Sequence, residues 1–117
     1  MEFFIKNLII IGDRVLIKPK NKIEKTKSGL YLPVGIQEKE KIQSGYIVKI
    51  GPGYAIAPDI DESWKSTEYK IKYIPLQVKE GDLAIFLLYQ SYEVFYKNEK
   101  YFIVPQTAIL MIEREKK

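Results

Sequence analysis

The apolar residues of this chain come as short runs of β-branched and aromatic side chains, cut every ten or so residues by glycine, proline or charge. Such runs suit a pleated, half-buried surface, which predicts strands and few helices. The first strand is read over Leu8–Ile17, with Gly12 marking a bend or bulge and Pro19 ending it. Tyr46–Ile50 follows as a compact strand closed by the turn Gly51-Pro52-Gly53. Val78–Asp82 is a second tight turn, and Leu83–Leu88 is continuously apolar, as a strand buried on both faces would be. Tyr92–Tyr96 and Tyr101–Val104 read as a hairpin joined by Lys97-Asn98-Glu99-Lys100, and Ile109–Ile112 as a last strand before the charged tail Glu113–Lys117. The predicted class is all-β, a small barrel or sandwich.

Two stretches break this rhythm. From Lys20 to Ser44 the chain is dense in Lys, Glu, Gln, Asn and Ser, a composition that predicts a long mobile loop, with ordered sequence resuming at Gly45. Inside it lies one apolar island, Leu30-Tyr31-Leu32, followed by Pro33-Val34. The second stretch, Tyr54–Gln77, holds a loop-like Ala55–Ser66 and a more strand-like Glu68–Ile74, and is read as a hairpin excursion. Trp64 within it is isolated among polar residues; it either anchors the hairpin or faces a cavity.

At 117 residues the chain fits one domain over residues 1–117. With 46% apolar and 13% aromatic residues it can build a core. A domain of this size buries only about two-thirds of its unfolded surface, so oligomerisation would help it. The absence of Cys and His removes disulfides, thiolate nucleophiles, Cys/His zinc sites and the commonest acid–base side chain. Asp59, Asp61 and Glu62 are the only acidic cluster and match no justified cation loop, so a solvated turn is expected and no metal. Gly51-Pro52-Gly53 lacks the Lys-Ser/Thr and helix of a phosphate cradle. Lys6 and Asn7 interrupt the apolar N-terminus, which lacks a small-residue cleavage site, and nothing approaches a membrane span; the expected location is cytoplasmic.

Five stretches, in order along the chain, resemble the GroES-type co-chaperonins. Asp13–Pro19 is similar to the family's opening strand. Lys25–Pro33, where Gly29 precedes Leu30-Tyr31-Leu32, is similar to its mobile loop. Gly45–Gly53 is similar to the strand and Gly-x-Gly turn that follow. Pro75–Asp82 and Ile109–Glu113 are similar to the approach to the next strand and to the closing strand. The resemblance implies a small GroES-like β-barrel with a mobile loop at about residues 20–44 and an extended roof hairpin at about 54–77. It implies a homo-oligomer, a heptameric ring, that caps a nucleotide-bound double-ring chaperonin and closes a chamber around an unfolded protein. Gly29, Leu30, Tyr31 and Leu32 would make the contact. The ring subunit itself would be neither an enzyme nor a cofactor binder, since nucleotide and hydrolysis belong to the partner.

Elementary energetics agree with a multivalent design. Burying Leu30 and Leu32 yields about 1.5–3 kcal/mol each, against about 1–2 kcal/mol per ordered loop residue. One loop binds feebly; several on one ring gain avidity. The apolar strands at the two ends of the chain invite pairing, either within one barrel or head to tail between copies. The rival function is a barrel binding single-stranded nucleic acid, because nine Tyr, five Phe and a basic first half (ten Lys/Arg against five Asp/Glu in residues 1–50) can build a stacking face. Against it, Glu24, Glu38 and Glu40 dilute the lysines, and Arg14 is the only arginine there. Zinc-dependent alcohol dehydrogenases share a GroES-like barrel, but need a nucleotide domain and Cys/His ligands absent here.

Overall fold

Side-chain alternation along the first strand sets the layout. Val15 and Ile17 point into one apolar cluster while Leu16, between them, points into another, so this strand separates two packed faces. A computed structural model describes residues 5–20, 42–56 and 72–115. The strands are β1 (Arg14–Pro19), β2 (Ile42–Ile50), β3 (Tyr54–Ile56), β4 (Lys72–Ile74), β5 (Leu83–Leu87), β6 (Tyr92–Tyr96), β7 (Glu99–Pro105) and β8 (Ile109–Glu113). Six form one antiparallel sheet in the order β6-β7-β1-β2-β5-β8, and β3 and β4 form a separate two-stranded ribbon. The all-β class expected from the sequence is what the chain adopts.

The large sheet is strongly curled. Between β7 and β5 lie two strands, which in a flat sheet would hold them about 14 Å apart. Yet Phe86 of β5 and Phe102 of β7 meet with ring centroids 5.4 Å apart, tilted by 57°. Two register slips help the bend, one leaving Val48 without a partner opposite β1 and one doing the same to Leu110 opposite β5. Val15, Ile17, Ile47, Ala84, Phe86 and Val104 fill the concave side, joined by Leu76 and Val78 from the segment entering β5. Among the described residues β6 and β8 do not pair with each other, so the ladder wraps its core without closing into a barrel. On the convex side Leu16 and Tyr101 bury Ile5, flanked by half-buried Leu8, Ile10 and Val94.

Several boundaries differ from the sequence reading: Ala55 and Ile56, read as loop, pair with Tyr73 and Lys72 in the ribbon, Leu88 leaves the strand for a 3-10 turn, and Glu113 extends β8 by pairing with Leu83. The first strand begins at Arg14, not Leu8, because Gly12 takes φ +69 and breaks the extended run there. β2 starts at Ile42 and takes up Ile42, Gln43 and Ser44, which pair with Leu87, Phe86 and Ile85 of β5. The β6–β7 link is a two-residue turn at Lys97 and Asn98, both at positive φ, so Glu99 and Lys100 belong to β7. Leu83–Phe86 is buried on both faces, as its unbroken apolar run predicts. No helix among the described residues is long and apolar enough to cross a membrane.

Candidate functional site: loop root, free edges and hairpin base

The segment between β1 and β2 leaves the sheet from a tight root. Pro19 pairs with Gly45, and beyond them the Lys20 N–H donates to the Ser44 carbonyl at 2.9 Å. Lys20 and Ser44 are both buried. A methyl group on Gly45 would lie 2.5 Å from Ile17 Cγ2, 2.6 Å from the Lys18 carbonyl oxygen and 3.0 Å from Pro19 Cα. Only a residue without a side chain lets β1 and β2 approach this closely.

Two apolar edges are left open. Leu8 and Ile10 lean onto the convex face while Ile9 and Ile11 stand out, 85% and 73% exposed. Among the described residues the backbone of Ile9–Ile11 enters no strand pairing. A groove beside this arm is lined by Leu8, Ile10, Ile50, Pro52 and Tyr73. At the far side of the ladder β8 pairs, among the described residues, with β5 alone and presents exposed Leu110 and Met111. Of the two terminal strands expected to pair within the chain or between copies, β1 and β8 pair within it, and the arm before β1 stays unpaired.

The third feature is the base of the ribbon. Tyr54 pairs with Ile74, Ala55 with Tyr73 and Ile56 with Lys72, and all six are exposed. The chain returns to the sheet through Pro75-Leu76-Gln77. There the Gln77 N–H donates to Gln106 Oε1 at 2.7 Å, and Gln106 Nε2 donates to the Tyr54 hydroxyl at 3.2 Å. Arg114 Nη2 donates to the Gln77 carbonyl at 3.2 Å. The same guanidinium grips Asp82, with Nε donating to Oδ1 at 2.8 Å and Nη2 to Oδ2 at 2.7 Å. Asp82 is 2% exposed and also accepts the Lys79 N–H at 2.7 Å. Burial pushes its carboxyl pKa up, but the Arg114 and Lys79 hydrogen bonds and the two positive charges outweigh that and hold it below the ordinary carboxylate value.

The sequence-predicted contact residues Gly29, Leu30, Tyr31 and Leu32 lie outside the described residues, as do Trp64 and the Asp59, Asp61, Glu62 cluster. Among the described residues no group of three or more His, Cys, Asp or Glu could hold a metal. Of the aromatics weighed as a stacking face, Tyr101 is buried and Tyr96 half-buried against the convex cluster, whereas Tyr92 and Phe95 point to opposite faces of β6. Arg114 belongs to the charged tail Glu113–Lys117 of the sequence reading, and nothing in its neighbourhood in sequence points to Asp82, 32 positions away.

Comparison with known proteins places these features. Residues 7–112 match the model of the chaperonin 10 Kd subunit family. The chain is 37% identical over 107 residues to a co-chaperonin GroES of Rhodothermus marinus, covering 92% of each protein. It is 39% identical over 104 residues to a co-chaperonin GroES of Listeria innocua, covering 89% of this chain and 96% of the relative. With one of Symbiobacterium thermophilum it shares 41% over 98 residues, 84% of this chain and 87% of the relative. The chain therefore belongs to the chaperonin 10, or GroES-type, family.

Proposed function

We propose that this chain is a co-chaperonin subunit, and that seven copies form a ring that caps a nucleotide-bound double-ring chaperonin. The observation that carries the reading is the family match over residues 7–112, whose relatives are named co-chaperonins. The geometry fits it in two ways. A loop that must bind and release a moving partner needs a fixed root, and Gly45, Lys20 and Ser44 supply one. A ring needs two different open edges per subunit, and the Ile9–Ile11 arm and β8 supply them. Head-to-tail addition of one subunit's arm along its neighbour's β8 satisfies the backbone of both and covers Ile9, Ile11, Leu110 and Met111. Contact with the chaperonin is made by Leu30, Tyr31 and Leu32, with Gly29 giving the loop its freedom. The chain performs no catalysis; nucleotide binding and hydrolysis belong to the partner, and an unfolded protein is enclosed beneath the cap.

Gel filtration with a bacterial double-ring chaperonin, with and without ATP analogue, tests the proposal. Co-elution that requires nucleotide and is lost in the Leu30→Asp/Leu32→Asp variant supports it, provided the variant still runs as a ring. Absence of co-elution from an intact wild-type ring overturns the capping role for that partner. Loss of the ring itself in the variant shows that Leu30 and Leu32 pack within the subunit.

A further inference from the structure

We propose that Gln106 and Arg114 are positioning residues that fix the tilt of the β3–β4 ribbon on the sheet, by holding the N–H and the carbonyl of Gln77 and, through Gln106, the hydroxyl of Tyr54. Every described residue of the ribbon is exposed, so among the described residues no core holds it in place. An unsupported two-stranded ribbon is marginal, and its orientation must come from its base. At that base Leu76 and Val78 insert their side chains into the concave core. They tether the returning strand, as the Gly53 N–H donating to the Gly12 carbonyl at 3.0 Å tethers the outgoing one, but neither contact holds the two polar groups of the Gln77 backbone. The polar grip does so: Gln106 Oε1 accepts from the Gln77 N–H at 2.7 Å, and Arg114 Nη2 donates to the Gln77 carbonyl at 3.2 Å.

Both gripping side chains are themselves held. The Gln106 backbone N–H donates to the Asp13 carbonyl at 2.9 Å, and its side-chain Nε2 donates to the Tyr54 hydroxyl, so one residue holds the outgoing and the returning strand of the ribbon. Arg114 is forked onto Asp82, whose carbonyl accepts the Ile47 N–H at 2.9 Å and ties the pair into β2. A fork of this kind fixes guanidinium direction in a way a lysine cannot. Arg114 and Asp13 adjoin β8 and the arm, the two edges assigned above to ring assembly. The ribbon is thus wired to both.

This placement stands on the geometry alone; its consequence, a roof held over the enclosed chamber, rests on the capping function proposed above. Hydrogen–deuterium exchange of the full chain tests it in wild type and in Gln106→Ala, Arg114→Gln and Arg114→Lys. Amides of Tyr54–Ile56 and Lys72–Ile74 are expected to exchange about tenfold faster in the first two variants, with β1, β2 and β7 unchanged. Arg114→Lys, which keeps the charge without the fork, stays on the fast side. Unchanged ribbon exchange in both Gln106→Ala and Arg114→Gln overturns the proposal, and so does equal acceleration across the core strands, which would mean general support. Gln106→Ala removes no partner of a buried charge, so it remains informative if Arg114→Gln is destabilised throughout. Chaperonin co-elution is read in parallel: its absence in wild type removes the capping function and leaves the exchange contrast to stand or fall by itself.

Discussion

Gly45→Ala separates a steric demand at the loop root from the ordinary effects of losing a glycine. The new methyl carbon would sit 2.5 Å from Ile17 Cγ2 and 2.6 Å from the Lys18 carbonyl oxygen, where contacts of about 3.5–4.0 Å are comfortable. The ends of β1 and β2 must part by about 1 Å, which stretches the 2.9 Å bond from Lys20 N–H to the Ser44 carbonyl. Overpacking of this size costs about 1–3 kcal/mol, and losing the hydrogen bond adds about 0.5–1.5 kcal/mol. Stiffening of the unfolded chain returns about 0.4–1 kcal/mol. The net is about 2 kcal/mol, or a fall in Tm of about 8 °C at this chain length. Gly12→Ala is the control, since Gly12 has φ +69 but nothing within 4 Å of a new methyl group; it carries conformational strain alone and costs about 1 kcal/mol. Calorimetry, with exchange at the Lys20 amide, should rank Gly45→Ala below Gly12→Ala. A Gly45→Ala protein that melts at or above wild type would refute the close approach of β1 and β2.

Ile9→Asp/Ile11→Asp changes side chains that touch little of their own subunit, so the folded monomer should keep its Tm within a degree or two while sedimentation should show the proposed ring falling to monomers. A ring that survives both charges would place the assembly contact elsewhere. Asp82 gives a pH signature. Its folded pKa lies below the unfolded value, so its stabilisation is full above about pH 5 and is lost as pH falls through the lowered value. Asp82→Asn should melt below wild type at pH 6–7 and approach it as pH falls below the ordinary carboxylate range. Parallel curves over that range would remove the carboxylate from the account.

The legible parts of this fold were those written in local chemistry. Runs such as Leu83–Phe86 and Tyr101–Val104 carry their own strand signal, and both are strands. What escaped was set by pairing across distance. Ile42-Gln43-Ser44 has no strong strand signature beside its polar neighbours, and it is ordered because β5 lies alongside. Leu8–Ile11 has that signature in full but meets no ladder, since Gly12 turns the chain away and the arm is packed by Ile5, Leu8 and Ile10 on the convex face. The hairpin turn at Lys97-Asn98 was placed but drawn two residues too long, because positive φ at a lysine is not written in composition. The polar grip at the ribbon base joins Tyr54, Gln77, Asp82, Gln106 and Arg114, residues unremarkable one at a time. For the candidate site, the expected contact residues Gly29, Leu30, Tyr31 and Leu32 lie outside the described residues, while the close approach of β1 and β2 appears only when Gly45 is seen against Ile17 and Lys18.

That root bears directly on how well a weak loop can bind. Ordering a loop residue costs about 1–2 kcal/mol, so each residue fixed in advance removes that much from the penalty of docking. By pairing Ile42, Gln43 and Ser44 with β5, the sheet fixes three residues that would otherwise belong to the loop, about 3–6 kcal/mol of gross ordering per subunit. The gain from burying Leu30 and Leu32 is of the same size. Whether a single loop has any affinity left after ordering therefore depends on where β2 begins as much as on which side chains the loop offers. On a ring the effect compounds, since a small deficit in each loop multiplies across the copies that must engage together. Gly45→Ala should then weaken chaperonin capture out of proportion to its loss of Tm, although Gly45 lies thirteen positions beyond Leu32 and outside the contact motif. Capture that falls only in step with stability would mean that the root serves the fold and not the loop.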